Sequence, residues 1–500
     1  MLSNSLAWRR FALILIFGSF ALRLVFAGTV EMLPEETYYW SYARHLDIGY
    51  LDHPPMVAWL ISVGTWFFGQ NEFGVRIGAL MCGLITSLYV YRLTRNLFGD
   101  AAALAAVLLA SMLPFFFLSG LLLTPDSPMT AAWAASLYYL ERALIAEQRQ
   151  AWWRAGIALG AGMFSKYSIA FLGLVTVAFM AWDTPSRHWF RRPEPYLAAA
   201  IAAAIFSPVI IWNAQHEWAS FAFQTSRRLA EPPQFATHKL LGSMLALITP
   251  TGLLAIVMTR RLAQDPRQAR FVGLALLLPL FVFALFSLRH EVKLDWTGAT
   301  WLAALPALGC SVLGMDTVRA PWRRWLQPAW PPTLVLLALL YIGLLHHLVL
   351  GLPGVAYSKH IETTPVGWRE LSDRMLSVAT QASQLSGRAP LIVGMDRYAI
   401  ASEIAFYGTR ATGMQLETSN SVLFDGVGLM YQRWTPPRSE SGRNLLLVAW
   451  DAGELNDALL EPRVERLGPI QEEILQRNGR FVRRYYHRMA YNYRYGSSEK

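Results

Sequence analysis

Apolar runs of about 18 residues or more recur along this chain, and a run of that length is what a helix needs to cross a bilayer. They lie near 11–27, 75–97, 101–119, 128–146, 196–213, 240–258, 271–288, 296–314 and 331–350. A longer stretch, 152–182, is interrupted at Ser165-Lys166-Tyr167 and reads as two short helices with a lysine between them. The expectation is a polytopic α-helical membrane protein with about eleven crossings. Charge content agrees: 16% of the residues are charged, against about a quarter in an ordinary soluble chain.

Basic residues orient the crossings. With the N-terminus inside, the cytoplasmic segments hold Arg9, Arg10, Arg92, Arg95, Arg142, Arg149, Arg154, Arg187, Arg191, Arg192, Arg260, Arg261, Arg267, Arg270, Arg319, Arg323 and Arg324. The outer loops hold far fewer, chiefly Arg44, Arg227, Arg228, Lys239, Arg289 and Lys293. This asymmetry is the positive-inside rule. It accounts for most of the formal charge of +10. The arginines are scattered over separate loops and form no single stripe, which argues against a nucleic-acid partner. The first run has a basic flank and small residues at Ala27-Gly28, as a signal peptide would, but the later crossings favour an uncleaved helix. Cys82 and Cys310 fall inside predicted helices and read as buried packing groups.

Composition shifts near residue 352. The tail, 352–500, is polar, with short apolar runs at 390–394 and 445–450 that suit buried strands, and helical spacing from Gly367 to Gln384. It is long enough for one small α/β domain. An odd number of crossings puts it outside the cytoplasm. The expected division is therefore a membrane domain over 1–351, including an outer loop 28–73, and an extracytoplasmic domain over 352–500.

That outer loop concentrates chemistry. It reads Pro34-Glu35-Glu36-Thr37-Tyr38-Tyr39-Trp40, then Leu51-Asp52-His53-Pro54-Pro55-Met56. Pro34 suits the first position of a helix, and acids in its first turn are favoured by the dipole. On that reading Glu35 and Glu36 are simply helix starters. Met56 to Phe68 is too short to cross and fits a surface helix. Three further groups stand out. Asp126, in Leu123-Thr124-Pro125-Asp126-Ser127-Pro128, faces outward between two apolar helices, either as a site acid or as a helix cap. Lys166 sits inside an apolar stretch, where a charge is costly and normally faces a cavity or a partner. Arg289, His290, Lys293 and Asp295 crowd one short outer loop.

Glu35-Glu36-Thr37-Tyr38-Tyr39-Trp40 resembles the acidic pair and aromatic run in the first outer loop of the GT-C glycosyltransferases. Within these it looks like the bacterial relatives of protein O-mannosyltransferases and of the lipid A aminoarabinose transferase. The His-Pro-Pro element matches the same loop. Trp212-Asn213-Ala214-Gln215-His216-Glu217-Trp218 and Asp396-Arg397-Tyr398-Ala399-Ile400-Ala401-Ser402-Glu403 are similar to stretches of the bacterial branch.

The resemblance implies a GT-C fold in a bacterial inner membrane, with the site facing the periplasm. It implies transfer of a sugar from a polyprenyl phosphate to a hydroxyl or phosphate of an envelope lipid, lipopolysaccharide or protein. Glu35 is then the expected base, although Glu-Glu replaces the usual Asp-Glu and leaves Glu36 in contention. Asp126 is the second acid, expected in one cavity with Glu35. Lys166, with His53, Arg289 and Lys293, would hold the donor phosphate. Asp52 matches an acid that helps hold a divalent metal in some relatives, yet one Asp beside one His is a sparse ligand set. No nucleotide-binding glycine motif is present, which suits a lipid-linked donor. The competing class is a transporter or lipid-linked-sugar flippase. It would place its site near the bilayer midplane, within inverted repeats.

Overall fold

The computed structural model describes residues 6–225, 232–315, 320–358, 364–456, 458 and 460–496. Arg227, Arg228 and Arg319, used above for orientation, lie outside the described residues. The chain divides into two compact units. One comprises Met1–Ala27, Ile48–Val57 and Arg76–Gly343, the other Gly28–Asp47, Ala58–Val75 and Leu344–Lys500.

The first unit is helical. Among the described residues six helices are long and apolar enough to cross a membrane: Leu6–Thr29, Glu72–Phe98, Pro193–Gln215, Thr237–Val257, Pro266–Ser287 and Pro321–Val349. A bent pair, Tyr167–Trp182 with Thr184–Arg191, makes a seventh if counted as one span. Other apolar runs become shorter or broken helices. The run at 101–119 divides into Asp100–Met112 and Pro114–Ser119, because Pro114 has no N–H to continue the ladder. Carbonyls at the ends of these two short helices are taken by the buried Arg23, which donates to Ser111 O and Phe117 O at 3.0 Å and to Phe116 O at 3.2 Å. An intramembrane arginine is thus satisfied by the break in its neighbour. The run at 296–314 becomes a 3-10 turn, Gly298–Ala303, and a short helix, Leu305–Val312. Cys82 and Cys310 are buried free thiols.

The second unit joins the first outer loop to the tail. Its sheet is built from β1 (Leu391–Gly394), β2 (Thr418–Asn420), β3 (Leu445–Ala449), β4 (Arg466–Leu467), β5 (Gln471–Arg477) and β6 (Arg480–Tyr491). The order runs β2-β1-β3-β6-β4, with β5 also paired to β6. β1 lies parallel to β2 and β3, whereas β6 is antiparallel to β3, β4 and β5. All residues of β1 and β3 are buried, as uninterrupted apolar runs require. Helices Trp368–Ser386 and Ala399–Thr412 flank the sheet. Met56–Phe68 is a helix whose Trp66 and Phe67 are exposed, as expected of a surface helix at a membrane interface.

Buried ion pairs tie the loop to the tail. Glu31, 2% exposed, accepts from Arg477 Nη1 at 2.7 Å and from the Trp368 N–H at 2.7 Å. Glu72 pairs with Arg369 and Arg410. Burial, reinforced by the nearby Glu370, pushes the Glu31 carboxyl up to about 7 even though Arg477 opposes the shift.

Candidate active site

Three charged side chains from separate elements of the first unit meet at one point. Lys166 Nζ lies 2.8 Å from both Asp126 Oδ1 and Oδ2 and 2.9 Å from Asp295 Oδ2. Each partner is positioned by local chain chemistry. Asp126 opens the helix Asp126–Leu144, and both oxygens of its carboxylate accept from Lys166. The turn before it is held by Ser127, whose Oγ donates to Leu122 O at 2.6 Å and whose N–H donates to Thr124 O. The Asp126 side chain is therefore spent on Lys166 rather than on its own backbone.

Lys166 follows the end of the helix Arg149–Met163. Its N–H returns to Gly162 O at 2.8 Å, and its backbone is then extended, with φ −156° and ψ 133°, before the 3-10 turn Tyr167–Ile169. Gly162 makes this fold-back possible: a Cβ there would sit 2.1 Å from Ile169 Cδ1 and 3.2 Å from Ala132 Cβ. Asp295 comes from the outer loop after the helix Pro266–Ser287, where its carbonyl accepts from Gly298 N at 2.9 Å. Burial would raise its carboxyl, but the Lys166 ammonium beside it prevails and holds it below the usual carboxylate range.

One ammonium faces two carboxyl groups. Lys166 and Asp126 have 13% of their side chains exposed, and Asp295 has 40%. The loop acid is thus the more accessible partner. An anion approaching Lys166 must displace a carboxylate.

The Asp52-His53 stretch runs alongside the Lys166 break. Met56 N–H donates to Phe164 O at 3.1 Å, and Tyr167, whose hydroxyl lies 2.8 Å from Ser220 Oγ, feels the charge of Asp52. Gln224 Nε2 donates to Asp52 O. The Trp212–Trp218 motif braces this stretch. Trp212 stacks on His216 at 4.1 Å and packs so close to Gly49 that a Cβ there would meet the indole at 2.6 Å. Asn213 Oδ1 accepts from Ser220 N and Phe221 N. Asp52 is buried and His53 half-buried. Among the described residues no three His, Cys, Asp or Glu side chains form a group able to hold a metal.

Arg289 and Lys293 share the loop of Asp295 and are exposed. Arg289 contributes its carbonyl, accepting from Gln234 N at 2.7 Å. Among the described residues neither side chain is ion-paired.

Glu35 and Glu36 belong to the second unit, in the helix Pro34–Arg44. They differ sharply. Glu36 is fully buried and accepts from the Leu33 N–H at 3.2 Å. Glu35 is exposed, with the Tyr39 hydroxyl donating to its Oε1 at 3.4 Å. The helix is locked to the tail through Thr37 Oγ1 and Ser402 Oγ, 3.0 Å apart, and through Tyr38 against Tyr398, with centroids 4.8 Å apart. The Asp396–Glu403 motif supplies these contacts, and Asp396 also caps Ile400 N at 3.2 Å. Asp295 was noted in the sequence only as part of a charged loop. Its pairing with Lys166 spans 129 residues, and no local pattern signals it.

Residues 52–212 match the family described as dolichyl-phosphate-mannose-protein mannosyltransferase. The chain is 30% identical over 306 residues to the undecaprenyl phosphate-alpha-4-amino-4-deoxy-L-arabinose arabinosyl transferase of Pseudomonas aeruginosa, covering 55% of this chain and 54% of that protein. It is 24% identical over 221 residues to a lipid A galacturonosyltransferase of Rhizobium johnstonii, covering 42% of this chain and 44% of that one. The chain thus spans about half the length, or less, of the curated relatives it matches. The crystal structure of ArnT from Cupriavidus metallidurans superposes with a TM-score of 0.61 at 16% identity, over 96% of this chain and 98% of that chain. The fold is that of a GT-C glycosyltransferase. The resemblance read from the sequence, to the lipid A aminoarabinose transferase-like proteins, is borne out by these matches. A second ArnT structure, bound to undecaprenyl phosphate, superposes with a TM-score of 0.60 at 15% identity, over 95% of this chain and 98% of that chain.

Proposed function

We propose that the chain is a membrane glycosyltransferase that moves a sugar from a polyprenyl phosphate to a hydroxyl or phosphate of an envelope lipid of the lipid A type. The observation that carries this reading is the ammonium of Lys166, held between two carboxylates at the break between the helices Arg149–Met163 and Ala170–Trp182. The reaction creates negative charge on the phosphate oxygens as the bond from the anomeric carbon to phosphate breaks. A fixed cation is what stabilises that charge. A polyprenyl phosphate leaves as a stable anion, so the leaving group needs little general acid.

In this reading the donor phosphate takes the place of Asp295 on Lys166, because Asp295 is the more exposed partner and sits on a loop. Asp126 stays in place and fixes the ammonium. Arg289 and Lys293, exposed on the same loop, draw the anion in. The acceptor oxygen attacks the anomeric carbon from the side opposite the phosphate, which inverts that centre. A base must then take its proton. We assign this role to Glu35, since Glu36 is sealed and committed to its own helix start. The activities named for the Pseudomonas and Rhizobium relatives and the undecaprenyl phosphate in one ArnT structure are in keeping with this assignment.

The test is mass spectrometry of envelope lipids from cells lacking the gene, complemented with wild type or with Glu35→Gln. Wild type should restore a species heavier by one glycosyl unit, and Glu35→Gln should not. Identical lipid and glycoprotein profiles with and without the gene would overturn the proposal.

A further inference from the structure

The opposite end of the helix Ala170–Trp182 carries a second charged feature that the transfer reaction does not use. The turn between the helices Thr237–Val257 and Pro266–Ser287 borders a cavity of about 600 Å³. Arg260, Arg261 and Arg270 line it together with the apolar side chains of Trp182, Leu274 and Leu277. The arginines are not equivalent. Arg267 and Arg270 both pair with Asp183, at 2.9 and 3.2 Å. Asp265 is occupied as a helix cap, accepting from Arg267 N and Gln268 N. Among the described residues no carboxylate pairs with Arg260 or Arg261, and both are exposed.

We infer that this cavity binds an anionic phospholipid of the cytoplasmic leaflet, with the phosphodiester at Arg260 and Arg261 and an acyl chain along Trp182, Leu274 and Leu277. Membrane orientation alone requires basic residues somewhere in this loop. It does not require them to share a cavity with an apolar wall that continues down a membrane helix. That combination suits a molecule with a charged head and an apolar tail. Basic pockets on the cytoplasmic side of membrane helices take anionic head groups in this way. Unpaired guanidinium groups at its mouth favour an anionic lipid over a zwitterionic one.

The test is native mass spectrometry of the full-length protein, incubated in detergent with either phosphatidylglycerol or phosphatidylcholine. Wild type should retain phosphatidylglycerol in preference. Arg260→Gln with Arg261→Gln should lower its affinity about 30-fold, since each basic residue contributes roughly fivefold at an anionic surface. A second variant, Gly273→Leu, leaves every charge in place and fills the groove. A Cβ at Gly273 meets only Leu262 Cδ1, at 3.5 Å, so the site accepts a side chain. It should weaken retention as well, and it keeps the test open if the arginine variant fails to fold. Equal retention of the two lipids by wild type, or wild-type retention of phosphatidylglycerol by either folded variant, would overturn the inference.

Discussion

Lys166→Ala should destabilise the protein as well as inactivate it, and a second substitution should separate the two effects. The ammonium lies 2.8 Å from Asp126 and 2.9 Å from Asp295. At those separations each pair is worth roughly 6 kcal/mol of Coulomb energy at an effective dielectric near 20, before desolvation is subtracted. Removing one partner of a buried pair typically costs about 3–5 kcal/mol, because the remaining charge is left uncompensated. Here two carboxylates would be left facing each other. Lys166→Ala should therefore lose about 3–5 kcal/mol, and Asp295→Asn alone should lose less, since Lys166 keeps Asp126. The double variant Lys166→Ala with Asp295→Asn should recover about 1–3 kcal/mol relative to Lys166→Ala, the size of coupling found between groups in one ion-pair network. Activity should follow a different order. Asp295→Asn should retain turnover and bind donor more readily, because the phosphate no longer competes with a carboxylate. Both variants lacking Lys166 should be inactive. Denaturant or thermal unfolding in detergent gives the stability cycle, and transfer from a lipid-linked sugar gives turnover. The reasoning fails if the two substitutions are additive in stability, or if the double variant regains activity along with stability.

Three further outcomes follow from the same contacts. Glu36→Ala should cost about 1–2 kcal/mol of stability through loss of the buried acceptor for the Leu33 N–H, whereas Glu35→Gln should leave the melting temperature unchanged and lower turnover by about 10²- to 10⁴-fold; a stable, inactive Glu36 variant would reverse the assignment. Glu31 is raised from 4.5 to about 7, so its stabilising contribution is complete below pH 4.5 and is lost as pH rises through 7, a change of roughly 3 kcal/mol; Glu31→Gln should flatten the stability profile over that window, and an unchanged slope would show that another group titrates there. Gly162→Ala should cost about 1–3 kcal/mol by overpacking against Ile169 and should impair turnover by shifting Lys166. Ile169→Val, which removes the obstructing Cδ1, should restore part of both, and equal loss with and without it would place the strain elsewhere.

What could be read in advance follows from the range of the interactions. The break at Ser165-Lys166-Tyr167 was legible because a lysine cannot rest in an apolar stretch without a partner, and the helix does end at Met163 and resume at Ala170. The strand runs at 390–394 and 445–450 were legible because continuous apolar runs between turn formers suit strands buried on both faces, and they became β1 and β3. Pro34 at the helix start behaved as its fixed φ dictates. Length was less reliable as a guide. The runs at 101–119 and 296–314 each have enough apolar residues to cross, yet Pro114 divides the first and a 3-10 turn opens the second. Hydropathy sums over a window do not register a single missing N–H. What the sequence could not show is who meets whom. Arg23 reads as a cost in a membrane helix until its acceptors, some 90 residues away, are known. The Asp396–Glu403 motif reads only as a likeness to the bacterial branch until Ser402 and Tyr398 are seen gripping the first-loop helix. Asp295 is the sharpest case. As one charge among four in an outer loop it could be solvated and idle, but beside Lys166 it changes the meaning of that lysine. A cation with no carboxylate near it would be a standing phosphate receptor. Under the proposed function, a cation shared by two carboxylates is a receptor that a donor must win, and affinity for the lipid phosphate would be set by the acid it displaces as much as by the ammonium it gains.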